Sequence, residues 1–375
     1  MTRREWAGLL GAGMACGQLP AVERARKSSI SATMAAMTAE RNKIGKGSYT
    51  KWFDALAEVR KELRAVMDAE APRTLAADPA TKHYLLRAAG TPPMYNEMYT
   101  GEYVTPKVPD AFVWTAGLLG QDAVRATSRW LKKQGIDLLF VPVPKMSDVY
   151  MDRIVPRGVP ADRLVAPHLR KSLFDLLADD VEVVDLLPAM LKARETSPDP
   201  LYLPADSHWS PAGRAVAVRM LAERLARYPV LQAARKAAPM FTVAKSKLQY
   251  PMSAMPLLTE EEKAAVEPFL HPEYDFISRL NGQPYGNYES GPVLLIGDSY
   301  SDLLGPQLAQ AINAPVAMMP VPGGTVQPVK ELLRNRSALA EAKVVVWVVN
   351  YAIFYLHDWA GLPEVVKREW VPKTK

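Results

Sequence analysis

The sequence predicts an α/β protein built on a mostly parallel sheet with helices on both faces. Two observations carry that expectation. Apolar runs such as Leu138-Leu139-Phe140-Val141-Pro142-Val143, Val293-Leu294-Leu295-Ile296 and Val344 to Val349 are continuous, as in strands buried on both faces. Segments with helical spacing lie between them, so strand and helix alternate through the second half of the chain. A third observation concerns placement. Ser299, Asn350 and Pro144-Lys145 each follow the end of such a run, and open parallel sheets bind ligands beyond the carboxyl ends of their strands.

Taken in order, residues 1–20 read as an export signal: Arg3-Arg4, an apolar stretch from Ala7 to Ala15, then Cys16 after small residues. The paired arginines resemble a twin-arginine signal, and Ala15-Cys16 resembles a lipoprotein cleavage site, which would give a lipid anchor. A basic, poorly ordered start is the plainer alternative. Residues 21–48 read as a polar, basic tether or disordered arm. Residues 49–110 read as an N-terminal helical and irregular extension, with Trp52, Phe53, Leu56, Val59, Leu63 and Val66 marking one amphipathic helix and irregular, partly extended chain from Pro72 to Pro109.

The span 111–360 carries the regular pattern. Helices are predicted over 122–134, 169–177, 211–227, 302–312 and 329–339, and strands over 138–143, 181–185, 293–296, 316–319 and 344–349. Ser210 and Pro211 start the third helix as N-cap and first residue. Residues 228–290 read as a loop-rich insertion with one acidic helix start at Thr259, and 361–375 as a tail. No internal repeat appears.

Composition narrows the function classes. The chain has 375 residues, enough for a single large core, and 46 Lys+Arg against 40 Asp+Glu give a net charge of +6. That bias is too dilute for a nucleic-acid footprint, and no basic run is interleaved with aromatics. It is compatible with an anionic polymer or a membrane surface. Beyond the extreme N-terminus nothing approaches the ~18 consecutive apolar residues of a membrane span. The single cysteine excludes an intrachain disulfide.

Two short motifs carry chemistry. In Gly297-Asp298-Ser299-Tyr300 the glycine allows a sharp exit from a strand, and Ser299 opens a helix whose N–H groups favour developing negative charge. The tripeptide alone reads equally as a helix cap. In Asp206-Ser207-His208-Trp209, residues two apart in an extended segment face one side, so the Asp206 carboxylate can fix the His208 tautomer. The far nitrogen of His208 is then free to take a proton from a serine. His357-Asp358 is the second candidate for the base.

Together these motifs resemble the SGNH/GDSL-type fold, a three-layer α/β sandwich. They are most similar to its permuted branch of bacterial alginate O-acetyltransferases, in which the Asp-x-His-Trp motif precedes the serine motif. The resemblance covers about Ala111 to Tyr355 and includes the strand end Val141 to Lys145. It implies Ser299 as nucleophile, His208 as base and Asp206 as its orienter. It also implies an oxyanion hole, for which Gly323-Gly324 and Asn350 are candidates beside the Ser299 N–H. Tyr300 and Lys145 are candidate substrate contacts, with Tyr150 and Arg153 near Lys145; Tyr351, Phe354, Tyr355 and Trp359 form either a sugar-stacking set or a core stripe.

By resemblance the acceptor is an exported, periplasmic polysaccharide and a membrane-bound O-acyltransferase supplies the acetyl group, with no metal and no cofactor. An acetyl-esterase using water and a non-catalytic polysaccharide-binding scaffold are the competing expectations.

Overall fold

In a computed structural model, residues 19–43, 61–62, 65, 75–78, 81–86, 94–99, 120–154, 167–204, 206, 208–249, 255–286, 290–322, 324, 326–351 and 361–369 are described. Among them, five apolar runs form one parallel sheet in the order β5-β4-β10-β8-β9. Its strands are β4 (Asp137–Val143), β5 (Glu182–Val183), β8 (Val293–Gly297), β9 (Val316–Pro320) and β10 (Val344–Asn350). The last strand among the described residues, β10, lies between β4 and β8, pairing Trp347 with Phe140 on one side and Ile296 on the other.

Every residue of β8 and β10 is buried, which is why their sequences show no polar alternation. Pro142 is tolerated inside β4 because of its direction. The Phe140 carbonyl accepts from Val184 on the β5 side, so residue 142 also faces that side, where β5 has already ended. No ladder bond is lost.

Helices α2 (Gly120–Lys132), α4 (Pro167–Ala178), α6 (Pro211–Leu225), α9 (Leu304–Ile312) and α10 (Gln327–Arg334) appear where the periodicity predicts them, within a few residues. Shorter helices are α3 (Met146–Ile154), α5 (Leu187–Ala193), α7 (Pro229–Lys236), α8 (Glu260–Val266) and α11 (Glu364–Lys367). Thr259 closes a full capping box with Glu262 at the start of α8.

Three expectations are corrected. Residues 21–48 are not a loose arm through their length: Leu19–Lys43 is one helix, α1. Its contact stripe is mixed, which hid it. Ile30 and Met37 enter the core, while Arg26 donates to Asp180 and Ser29 to Glu182. Glu40 pairs with the buried Arg170, which also holds Asp185.

The span 75–99 holds three antiparallel strands, β1 (Leu75–Asp78), β2 (Thr81–Leu86) and β3 (Met94–Tyr99). The span 228–290 is not mainly loop. Beside α7 and α8 it carries a two-stranded antiparallel ribbon, β6 (Phe241–Lys247) and β7 (Glu273–Arg279). Residues 1–18 lie outside the described residues, as does most of the helix predicted over 52–67. No helix among the described residues is long and apolar enough to cross a membrane.

Candidate active site

Three chain segments meet at the carboxyl ends of β4, β8 and β10. At the end of β8, Gly297 has φ of 156°, and a Cβ there would lie 1.9 Å from the Val348 carbonyl oxygen. Only glycine lets the serine loop approach β10 this closely. Gly297→Ala is therefore expected to destabilise the fold by roughly 3 kcal/mol, measured by denaturant unfolding, because backbone and not a flexible side chain must move.

The next residue fixes the loop. Asp298 is buried and caps the short 3-10 turn Ser299–Ser301, accepting from the Tyr300 N–H at 3.0 Å with Oδ1 and from the Asn350 N–H at 2.7 Å with Oδ2. Ser301 is buried and donates its hydroxyl to the Asp298 carbonyl at 2.6 Å. Of the two serines, Ser299 is the one whose Oγ faces the cleft.

The Asp-x-His segment is presented by a narrow hairpin. Tyr202 bridges Trp209, the Leu203 N–H donates to the His208 carbonyl at 2.8 Å, and the Ser210 N–H donates to the Leu201 carbonyl at 2.9 Å. Tyr202 anchors it from below, donating its hydroxyl to the Pro144 carbonyl at 2.6 Å. Ser210 caps α6 and ties the hairpin to Pro200. Asp206 and His208 therefore meet across a turn, not along one extended strand. Asp206 Oδ1 accepts from the His208 backbone N–H at 2.8 Å and lies 2.7 Å from its Nδ1.

The other ring nitrogen, Nε2, lies 2.7 Å from Ser299 Oγ. With Asp206 holding the proton on Nδ1, Nε2 is the acceptor and the serine hydroxyl the donor. Tyr300 packs under the imidazole with ring centres 4.9 Å apart and meets Trp209 edge-on at 5.6 Å. Both Tyr300 and Trp209 are buried, so they hold the imidazole plane from one side.

The remaining candidates fall elsewhere. Tyr300 is a support for His208 and not an exposed substrate contact. Lys145 is buried, with its backbone N–H donating to Asp148. Tyr150 is buried too and accepts from the Leu201 N–H, while Arg153 bonds Glu195. Asn350 ends β10, where its N–H is held by Asp298.

Gly324 donates its N–H to the Val321 carbonyl at 2.8 Å, closing a turn, so that N–H does not serve an oxyanion. Gly323 lies outside the described residues, as do Phe354, Tyr355, His357, Asp358 and Trp359; Tyr351 is buried. Among the described residues, the Ser299 N–H meets no acceptor, and no group of three or more His, Cys, Asp or Glu converges as a metal site.

Ser299 and His208 open into a cleft of about 540 Å³. Its other walls come from residues the motifs did not reveal: Arg214 on α6, Asp302 after the serine turn, and Ser246, Lys247 and Tyr274 on the ribbon. Asp302 follows Ser299 by three residues, the spacing that brings side chains to one face of a helical turn. That signal was present in the sequence. Burial pushes the Asp302 carboxyl above its usual range, and nearby His208 opposes the shift. No comparable local signal marks Tyr274.

Comparison with known proteins shows the family and the fold. The model of the family described as ALGX, SGNH hydrolase-like domain, acetyltransferase AlgX, matches residues 119–351. Among solved structures, the O-acetyltransferase domain of Pseudomonas putida AlgJ is similar in fold, with TM-score 0.55 and 19% identity over 76% of this chain and 98% of that one. Pseudomonas aeruginosa AlgX aligns with TM-score 0.46 and 18% identity over 73% of this chain and 63% of that one. No curated protein sequence matches.

Proposed function

The chain belongs to the AlgX family of SGNH hydrolase-like acetyltransferases and is an O-acetyltransferase, and on that premise we propose that Ser299 carries the acetyl group to a hydroxyl of an exported polysaccharide. The observation that carries this reading is the unbroken chain of contacts from Asp206 through His208 to Ser299, each 2.7 Å.

Ser299 Oγ attacks the acetyl carbonyl as its proton passes to His208 Nε2, forming a C–O bond and an oxyanion that the Ser299 N–H faces. The oxyanion collapses, the bond to the donor's leaving group breaks, and that group takes the proton from Nε2. A sugar hydroxyl then gives its proton to Nε2 and attacks acetyl-Ser299. Collapse of this second oxyanion returns the proton to Ser299 Oγ and releases the acetyl ester. Asp206 stabilises the imidazolium in both halves.

The periplasmic setting rests on the family and on the basic, apolar start of the sequence, read as a signal over residues 1–20 in which Cys16, the candidate lipid-anchor site, follows the apolar stretch. A membrane-bound O-acyltransferase as acetyl supplier and membrane association through the N-terminus belong to the same proposal.

Water competes with sugar for acetyl-Ser299, and acceptor choice separates transfer from hydrolysis. Incubating the protein with 4-nitrophenyl acetate, with and without alginate oligosaccharides, is expected to give sugars heavier by one or more acetyl groups. Free acetate as the sole destination of the acetyl group in both incubations, beside the released 4-nitrophenol, would overturn transfer and leave an esterase.

A further inference from the structure

The ribbon that closes one side of the cleft continues well beyond it. In β6 and β7 the register pairs Ser246 with Tyr274, Ala244 with Phe276 and Thr242 with Ser278. Paired residues share a face in an antiparallel ladder, and side chains alternate between faces. These three pairs therefore line one face. The opposite face carries Phe241 and Ile277, which are buried in the core and seat the ribbon on the domain.

The first face starts in the cleft, since Ser246 and Tyr274 line it together with Ser299. One rung outward, about 7 Å along the strand, stands Phe276, 36% exposed and one of four large exposed apolar residues among those described. Its ring meets Tyr274 edge-on at 6.4 Å and 86°. The residues opposite the two rings are small, Ser246 and Ala244, so no cross-strand side chain covers the ring faces. Hydroxyls of Thr242 and Ser278 follow on the next rung.

We propose that this face of the ribbon is an extended acceptor-binding track that holds a polysaccharide chain as it leaves the cleft. The inference rests on the transferase reading and names the surface by which that site selects long acceptors. Three features favour a glycan as the occupant. The strip is continuous with the cleft that would receive the reacting hydroxyl. Its rungs carry two aromatic rings, Tyr274 and Phe276, together with the hydroxyls of Ser246, Thr242 and Ser278, which suits a chain whose sugar units offer both C–H faces and hydroxyls. It is also a narrow pair of rings, far smaller than the apolar patches that join stable protein partners.

The test measures binding of alginate chains of two lengths to the whole protein by calorimetry, and acetyl transfer separately by product mass. Wild type is expected to bind polymer at least about tenfold more tightly than oligomers short enough to fill only the cleft. Phe276→Ala should lose most of that length-dependent gain, Phe276→Tyr should restore it, and Val243→Ala, on the opposite face, should keep it. Melting temperatures of the four proteins confirm that each is folded.

No gain of affinity with chain length, or an undiminished gain in Phe276→Ala, overturns the track. So does a dimer that dissociates on the same substitution, which would assign the face to a second copy. Length-dependent binding without acetylated product would overturn the transferase reading and leave the track standing.

Discussion

Ser299→Ala is expected to lower acetyl turnover by at least about 10⁴-fold, on 4-nitrophenyl acetate and on sugar acceptors alike. No other group at the site can take its place. Ser301, two residues on, is buried with its hydroxyl given to the Asp298 carbonyl. Burial raises the carboxyl of nearby Asp302 above its usual range, with His208 opposing the shift, and it is not a hydroxyl that a general base would activate.

The substitution also isolates chemistry from folding. Ser299 Oγ contacts His208 and supports no backbone group, so the melting temperature should stay within about 2 °C of wild type. A second readout is covalent. Mass spectrometry of wild type mixed with excess activated ester should find one acetyl on the peptide containing Ser299 and none in the variant. Turnover that persists in Ser299→Ala would remove it as nucleophile, whatever the geometry.

The parts of this molecule that could be read from sequence are those whose local pattern reports burial. Strands β8 and β10 show unbroken apolar runs because helices cover both their faces. The ribbon gave no such signal. In Phe241–Lys247 only Phe241 is buried, so Lys245 and Ser246 made the segment look like loop.

Helix α1 was obscured differently. Its docking relies on Arg26, Ser29 and Glu40 as much as on Ile30 and Met37, and polar anchors do not register as hydrophobic periodicity. At the site, residue types and motif order marked Ser299, His208 and Asp206. Their meeting is a tertiary fact, since 91 positions separate His208 from Ser299. The cleft walls were legible only near a motif: Asp302 by its spacing from Ser299, but not Tyr274, which arrives on a strand with no chemical signature of its own.

Asp206→Asn is expected to reduce turnover by about 10²–10³-fold, and not by the ~10⁴-fold that follows when a histidine is held in the wrong tautomer. The difference lies in one oxygen. Asp206 Oδ1 receives both the backbone N–H of His208 and its ring Nδ1, at 2.8 and 2.7 Å. A backbone N–H cannot reverse its polarity, so an asparagine side chain must place its carbonyl oxygen, not its amide nitrogen, at that point. The same oxygen then keeps the proton on Nδ1, and Nε2 remains an acceptor for Ser299.

What asparagine cannot supply is the negative charge that stabilises the imidazolium as it forms, and that loss sets the smaller figure. Nitrogen NMR of the imidazole ring reads the tautomer directly and should show Nδ1 protonated in both proteins. A protonated Nε2 together with a 10⁴-fold loss would mean that the amide had turned and abandoned the backbone donor. The hairpin between Leu203 and Ser210 would then not be holding His208 by the contact inferred for it. Asp206→Ala, which removes the shared acceptor of both contacts, should fall below Asp206→Asn, because the ring then loses its orientation as well as its charge partner.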